Sequence, residues 1–183
     1  MVDSFRKAIA ALAPFLGGRD LEEVSIGGGL GVAYITGERA PSITEWAETV
    51  KAACRDHGIT ARITAEPGRA IVAGAAITLY TIGTIKTIDS IRTYVAVDGG
   101  MSDNPRPVLY GSGYEAFLPR AVDVNRDRVV RVVGKHCEAG DVIVAEAAIP
   151  VDTRVGDILC TPVTGAYGHS MGSNYNMALR PPV

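Results

Sequence analysis

The chain has 183 residues, a hydrophobic content of 47% and a formal net charge of −2. This length suits one or two small globular domains. The nearly neutral charge gives no reason to expect nucleic acid or an anionic membrane surface as a partner. No stretch is long and apolar enough to span a bilayer, and the N-terminus lacks the pattern of a signal peptide, so we expect a cytoplasmic protein.

Helical and strand patterns alternate through the first 70 residues. Apolar residues first recur at helical spacing and stop at two glycines: Phe5, Ile9, Leu12 and Leu16, then Gly17-Gly18. Residues 21–26 then predict a strand. Ser42 and Glu45 have capping-box spacing and begin a second helix that ends at Gly58, and residues 59–65 predict a second strand. This order is typical of a parallel β/α fold.

Helical periodicity is largely absent beyond residue 75. Short runs rich in β-branched residues are separated by Gly, Asp and Pro: residues 77–85, 94–97, 129–133, 142–144 and 158–159. This texture predicts an all-β domain of sandwich or barrel type, with a boundary near Gly74. The fold class is therefore α/β over residues 1–74 followed by all-β over residues 75–183.

Five short blocks carry the functional signal of the sequence. They are Gly27-Gly28-Gly29-Leu30-Gly31, Glu66-Pro67-Gly68-Arg69, Asp98-Gly99-Gly100 with Asn104-Pro105-Arg106, His136-Cys137-Glu138-Ala139-Gly140-Asp141, and Gly165-Ala166-Tyr167 with Asn174-Tyr175-Asn176. In this order and spacing they resemble the C-terminal portion of the diaminopimelate decarboxylases, pyridoxal phosphate (PLP) enzymes of the alanine racemase-like fold type. The resemblance covers nearly the whole chain.

The resemblance implies a fold for each half of the chain. Residues 1–74 would be the last part of a PLP-binding (β/α)8 barrel, and residues 75–183 a C-terminal β domain truncated at its end. In that family the cofactor lysine lies on the first barrel strand, and none of the four lysines here is at that position: Lys7, Lys51, Lys86 and Lys135. Two strands cannot close an eight-stranded barrel. We therefore expect either a fragment of a decarboxylase or a gene start assigned inside the reading frame, with the lysine-bearing strand encoded upstream.

The cofactor site is predicted at the first two blocks. A glycine run that follows a strand lets backbone amides approach phosphate, although the same residues also suit an ordinary tight turn. The resemblance assigns PLP binding to Gly28, Gly29, Gly68, Arg69, Tyr167 and Glu66. Among these, Glu66 would pair with the pyridine nitrogen; the alternative is a surface acid before a turn.

The substrate site is predicted at two arginines. A guanidinium binds a carboxylate through two parallel hydrogen bonds, so Arg69 and Arg106 suit a substrate with a second carboxylate at its far end. The resemblance assigns substrate binding to Arg69, Arg106, Tyr110, Glu138 and Tyr167, with Glu138 meeting the distal amino group. Arg106 could instead be a surface residue of a proline-bounded loop.

Cys137 is the candidate catalytic residue. The resemblance implies that it completes the active site of the neighbouring subunit of a homodimer and delivers a proton after decarboxylation. Cys54 and Cys160 suit small core residues. We expect no bound metal, because the spacing of the nearest candidate set matches no standard zinc pattern: His136, Cys137, Cys160 and His169.

The function implied by the resemblance is PLP-dependent decarboxylation of meso-2,6-diaminopimelate to L-lysine and CO2, in lysine biosynthesis. Two alternatives remain open. One is another PLP amino-acid decarboxylase of the same fold, such as one for carboxynorspermidine. The other is a non-catalytic, truncated assembly module, which the missing lysine favours for this polypeptide as it stands.

Overall fold

A computed structural model describes residues 2–17 and 19–183. The chain divides into two compact units. The first unit contains the described residues up to Ala33 and residues Glu38–Ile71; the second contains Tyr34–Gly37 and Val72–Val183. The division after Ile71 lies close to the predicted boundary at Gly74, but the assignment of residues 34–37 to the second unit was not anticipated from the sequence.

The first unit consists of two helices and two short strands in alternation. In chain order these are α1 (Val2–Leu16), β1 (Glu23–Ser25), α2 (Ile43–Asp56) and β2 (Arg62–Thr64). Strands β1 and β2 pair in parallel, with Val24 opposite Ile63. The predicted order of helix, strand, helix and strand is therefore confirmed, while Gly18 of the predicted glycine stop lies outside the described residues. That this unit belongs to a (β/α)8 barrel stays a prediction.

The core of the first unit joins the two helices to the loop after β1. Phe5 of α1 meets Trp46 of α2 edge to face, with ring centroids 5.8 Å apart. The buried core residues are Phe5, Ile9, Leu30, Trp46, Val50, Ala53 and Cys54. Ser42 begins α2 as predicted, because its side chain accepts a hydrogen bond from the Glu45 N–H at 3.0 Å. The loop that carries the glycine run is thus packed against both helices.

The second unit is built on one five-stranded mixed sheet. Its strands are β3 (Thr78–Ile88), β4 (Arg92–Val97), β5 (Arg128–Val133), β6 (Val142–Ile149) and β7 (Ile158–Thr161). Their order across the sheet is β6-β5-β4-β3-β7. All neighbours are antiparallel except β4 and β5, which run parallel. The predicted strand segments are confirmed.

The long strand β3 takes part in two ladders of the sheet. The first half of β3 pairs with β7 and its second half pairs with β4, with an irregularity between Ile82 and Thr84. Among the described residues, the two end strands β6 and β7 do not pair with each other and there is no second sheet in this unit. The predicted β domain is therefore a mixed five-stranded sheet, and its closure into a sandwich or barrel stays a prediction, because local patterns identify strands but not their partners.

The described residues also form three short α-helices, α3 (Gly68–Val72), α4 (Arg106–Tyr110) and α5 (Gly168–Met171), and three 3-10 turns at Ala73–Ala75, Pro119–Ala121 and Tyr175–Met177. None of the helices formed by residues 2–17 and 19–183 has the length and apolar character needed to cross a membrane.

Candidate functional site

The glycine rim, defined here as residues 27–31 and 66–69, lies in the first unit where β1 and β2 end side by side. The Ile26 N–H donates to the Thr64 carbonyl at 3.0 Å, and the Glu66 N–H donates to the Gly27 carbonyl at 2.9 Å. The parallel pairing thus continues beyond both strands. It brings two of the five sequence blocks together at one edge of the sheet.

Three consecutive glycines are required at the rim for two different reasons. Gly27 and Gly29 have positive φ angles of 72° and 96°, which side chains disfavour. Gly28 has ordinary φ, but a Cβ there would lie 2.5 Å from the Glu66 carbonyl oxygen. The triplet is therefore fixed by backbone geometry, as a tight turn would be, and open space adjoins it at Gly27.

Glu66 is exposed at the rim, and its orientation is set by a residue that the sequence analysis missed. The Ser25 hydroxyl donates to Glu66 Oε1 at 2.7 Å, and the Gly27 N–H donates to the same hydroxyl oxygen at 3.2 Å. Ser25 is the last residue of β1, so its position before the glycines was the available signal. The Gly68 N–H donates to the Glu66 carbonyl at 2.8 Å and is thereby engaged within the chain. Arg69 follows at the start of α3 and is half-buried.

Arg106 begins α4 in the second unit and is buried, with 6% of its surface exposed. Its Nε donates to the Tyr114 hydroxyl at 3.1 Å, and its Nη2 donates to the Ser112 hydroxyl at 3.2 Å. The guanidinium carbon also lies 5.2 Å from the ring centre of Tyr34 and 5.5 Å from that of Tyr110. Arg106 is therefore held in one orientation and is not the surface residue that the sequence left possible.

Tyr34 and Tyr114 were not identified from the sequence as part of the site. Their rings meet edge to face with centroids 5.1 Å apart, and both are buried beside Arg106. Burial raises the pKa of the Tyr114 hydroxyl, and Arg106 opposes that rise, so the hydroxyl remains neutral at physiological pH. Tyr110, which the sequence did identify, has an exposed ring that also contacts the guanidinium.

The Cys137 loop, defined here as residues 134–141, connects β5 to β6. Cys137 and Glu138 are both exposed at its tip. The Tyr175 hydroxyl donates to Glu138 Oε2 at 3.1 Å, and this hydrogen bond raises the Tyr175 pKa. The Tyr175 ring also packs edge to face on His136 at 5.2 Å. Tyr175, from the last sequence block, thus fixes the orientation of the Glu138 carboxylate.

Tyr167 is placed by a tight crossing of two backbones in the second unit. Its φ is +66°, and its side chain is about half exposed. The preceding Gly165 donates its N–H to the Ala73 carbonyl at 3.0 Å, and a Cβ at Gly165 would overlap the backbone carbonyl oxygen of Val72. Only glycine allows this approach, which fixes the chain just before Tyr167.

The remaining candidates are distributed over the surface and the cores. Cys54 and Cys160 are buried, and burial raises the pKa of both thiols, as suits the core role expected for them. All four lysines are exposed, and Lys7 forms a surface ion pair with Asp3 at 3.2 Å. Across residues 2–17 and 19–183, no group of three or more His, Cys, Asp or Glu side chains is arranged to hold a metal ion.

Comparison with protein families identifies the class to which this chain belongs. The family model for the C-terminal sheet domain of pyridoxal-dependent decarboxylases matches residues 34–165. The chain is therefore a member of the pyridoxal-dependent decarboxylase family. The match begins at Tyr34, the same residue at which the chain first enters the second structural unit.

Individual relatives are diaminopimelate decarboxylases. The enzyme of that name from Synechocystis sp. is 46% identical over 169 residues, which are 90% of this chain and 36% of the relative. The structure of diaminopimelate decarboxylase from M. jannaschii in complex with L-lysine matches with a TM-score of 0.82 and 30% identity, over 98% of this chain and 42% of that one. The enzyme from Helicobacter pylori, also in complex with L-lysine, matches with a TM-score of 0.78 and 30% identity, over 96% and 42%. The chain thus spans less than half the length of these relatives.

Proposed function

We propose that this chain supplies site residues for the PLP-dependent decarboxylation of meso-2,6-diaminopimelate to L-lysine and CO2, within lysine biosynthesis in the cytoplasm. The observation that carries the proposal is the buried, oriented guanidinium of Arg106. Desolvating a charged side chain is costly unless it is hydrogen-bonded and serves a partner. A fixed guanidinium suits a carboxylate, which the distal end of diaminopimelate has and the cationic ends of ornithine and arginine lack. The names of the relatives, at 46% identity for the Synechocystis enzyme, support the same substrate.

The glycine rim fits the cofactor. A Cβ placed on Gly27 or Gly68 would meet no atom within 4 Å, so there is open space beside this stretch of backbone. The amides of Gly28 and Gly29 are assigned to the phosphate, together with Arg69 and Tyr167. Gly68 would contribute mainly by lacking a side chain, because its own N–H is already donated to Glu66.

Glu66 would hold the ring nitrogen of the cofactor. Its carboxylate is exposed and is oriented by the Ser25 hydroxyl, so an acceptor is available at the end of β2. When bound, the protonated cofactor ring withdraws the electron pair left by the departing CO2. A carboxylate beside the ring nitrogen keeps that nitrogen protonated.

The second unit would supply the substrate contacts and the acid. Arg106 and Tyr110 are assigned to a substrate carboxylate, with Arg69 as the second arginine. Glu138, oriented by Tyr175, is assigned to the distal amino group. Cys137 is exposed beside it and is assigned the proton that replaces CO2, acting in the neighbouring subunit of a homodimer. The cofactor lysine is not among the four lysines of this chain, so we expect no turnover from these 183 residues alone.

A hybrid enzyme tests the proposal. In this hybrid, the chain replaces the matched 169-residue segment of the Synechocystis diaminopimelate decarboxylase, which retains its own remaining residues. We expect the PLP-loaded hybrid to release CO2 and L-lysine from meso-diaminopimelate and to leave L-ornithine and L-arginine unchanged. Preferential turnover of carboxynorspermidine would instead establish the alternative function, that of a carboxynorspermidine decarboxylase of the same fold. A folded, PLP-loaded hybrid that acts on none of these substrates would favour a non-catalytic module.

A further inference from the structure

Asp141, at the end of the Cys137 loop, has a buried carboxylate to which the sequence analysis gave no role. Only 3% of this residue is exposed. Its Oδ1 accepts the Met101 N–H at 2.6 Å, and its Oδ2 accepts the His136 N–H at 2.8 Å. One carboxylate therefore bridges two loops that are 40 residues apart in the sequence. We propose that Asp141 is a positioning residue that fixes the segment carrying Cys137 and Glu138 to the turn leading into Arg106.

Two glycines make room for this carboxylate. A Cβ at Gly100 would lie 2.9 Å from both Asp141 carboxylate oxygens. A Cβ at Gly134 would lie 2.5 Å from the Gly100 Cα and equally close to Asp141 Oδ1. Such distances are not found for real Cβ atoms, so any larger residue would force the two loops apart. The glycines of two separate sequence blocks thus serve one contact.

Further hydrogen bonds join the same two loops around Asp141. The Lys135 N–H donates to the Gly99 carbonyl at 2.9 Å. His136 Nε2 and the buried Ser102 hydroxyl are hydrogen-bonded at 2.8 Å. These bonds connect backbone and side chains on both sides of the carboxylate. Together with the carboxylate they make the two loops one packed element.

The turn on the far side of Asp141 leads directly to Arg106. Asp103 Oδ2 accepts the Gly100 N–H at 2.8 Å and closes the turn of residues 99–103. Asn104 and Pro105 follow, and Arg106 begins α4. Because backbone N–H bonds to a buried carboxylate are charge-assisted, they resist local opening more than neutral bonds do. A shift of the Cys137 loop would therefore be transmitted to the start of α4. A shift at the start of α4 would likewise move the Cys137 loop.

The kinetic part of this inference rests on the proposed function. If Glu138 and Arg106 each contact substrate, the Asp141 bridge holds both side chains in place before substrate binds, also where Glu138 acts in the neighbouring subunit. Loss of the bridge should then weaken substrate binding more than cofactor binding, since Asp141 is part of the second unit and the glycine rim is not.

Asp141→Asn in the hybrid enzyme tests the bridge directly. Asparagine has the same size, but it offers one acceptor oxygen and places an NH2 group against the second N–H. We expect amide hydrogen exchange in residues 99–103 and 134–141 to quicken by about tenfold or more, since a buried N–H loses its acceptor. Alkylation of Cys137 should quicken with it, and KM for diaminopimelate should rise about tenfold while PLP affinity stays within about twofold.

Asp157→Asn is the matched control. Asp157 is also buried, but it accepts hydrogen bonds from Arg120 and from the Arg154 N–H in the turn before β7. Its loss should quicken exchange only around residues 152–157 and 119–121, and should leave both bridged loops and the KM unchanged. Should Asp141→Asn not fold, Ser102→Ala removes the link to His136 together with a longer hydrogen bond to Asp103 in the neighbouring turn, and it should produce the same pattern at about two- to threefold.

Three results would overturn the inference. One is unchanged exchange and unchanged Cys137 reactivity in Asp141→Asn. Another is loosening of the whole second unit by Asp141→Asn to the same extent as the two loops, because that is a purely structural role. The third is selective loosening of the loops with no change in KM. If the parent hybrid does not act on diaminopimelate at all, the proposed function fails while exchange and alkylation still decide whether Asp141 couples the loops.

Discussion

The glycine rim and the Cys137 loop are both short connections that carry candidate site residues, yet different interactions hold them in place. At the rim the determinants are in the backbone: two parallel strands of three residues, glycines at positive φ, and the close approach of Gly28 to Glu66. In the Cys137 loop they are side chains, above all the buried carboxylate of Asp141. A substitution at the rim should therefore act by steric exclusion, and one near the loop by loss of hydrogen bonds.

The largest effect is expected at the tip of the loop. In the hybrid enzyme, Cys137→Ala should lower kcat by about 10²- to 10⁴-fold, the usual contribution of a positioned proton donor. PLP binding should remain, because the thiol is not part of the rim. Steady-state kinetics with meso-diaminopimelate and cofactor titration measure the two quantities. Cys54→Ala is the control, since that thiol is buried in the core of the first unit and should leave kcat unchanged. Equal kcat values for the two variants would remove Cys137 from the mechanism.

A somewhat smaller effect is expected at Arg106. Arg106→Ala should lower kcat/KM for diaminopimelate about ten- to a hundredfold, because a charged hydrogen-bonding partner of the substrate is lost. PLP affinity should change little. Arg126→Ala provides the matched comparison, because Arg126 also lies over an aromatic ring, that of Phe117 at 5.5 Å, but has no proposed site role. Loss of PLP with unchanged diaminopimelate kinetics would show that Arg106 serves the cofactor.

Substitutions at the glycine rim should affect protein stability or PLP affinity rather than substrate binding. Gly28 and Gly68 distinguish these two effects. Gly28→Ala should destabilise the protein by about 1–3 kcal/mol, because a Cβ 2.5 Å from a backbone oxygen forces the strand ends to move. Gly68→Ala meets no atom within 4 Å, so the melting temperature should be unchanged. Its methyl group would enter the space assigned to the cofactor, and PLP affinity should fall. If Gly68→Ala binds PLP as tightly as the parent hybrid, the cofactor does not occupy that space.

Much of the fold followed from local sequence patterns. The helices α1 and α2 have one apolar face, and Ser42 caps the second of them, so their positions could be read from spacing. The strands β3 to β7 are rich in β-branched residues bounded by turn residues. Partner choice was not available locally: the parallel pairing of β4 with β5 joins segments separated by α4 and a long connection. The strand order of the mixed sheet therefore could not be predicted from the sequence.

The site was predictable only where a residue carries its own signal. Glycine runs and an arginine after Asn104-Pro105 are visible in the sequence, and the structure places them at strand ends and at the start of α4. The residues that orient these side chains have no distinctive local sequence pattern. Tyr34 is far from Arg106 in the chain, and the contact of Asp141 with Met101 spans 40 residues. Such partners become apparent only when tertiary contacts are known.

The smallest effect should come from Tyr175, whose hydroxyl supports Glu138 from the surface. Tyr175→Phe keeps the ring that packs on His136 and removes only the O–H donated to the carboxylate. Exposed hydrogen bonds contribute little, so KM should rise by about two- to threefold with kcat unchanged. In the Glu138→Ala background, where the acceptor is gone, the same change should have no further effect on KM, because the two residues act as one unit.

The direction of the Tyr175 pKa shift predicts how the effect of Tyr175→Phe on KM depends on pH. Glu138 raises the Tyr175 pKa above its usual value of 10.0, so the hydroxyl keeps its proton, and the bond persists, as the pH rises through that value. The bond is lost only when the pH passes the raised pKa. The KM difference between the parent hybrid and Tyr175→Phe should therefore be constant from pH 7 to 9. Tyr94→Phe, in strand β4, is the control and should match the parent hybrid at every pH. A KM difference that disappears below pH 9 would mean that the tyrosine acts on something other than the Glu138 carboxylate.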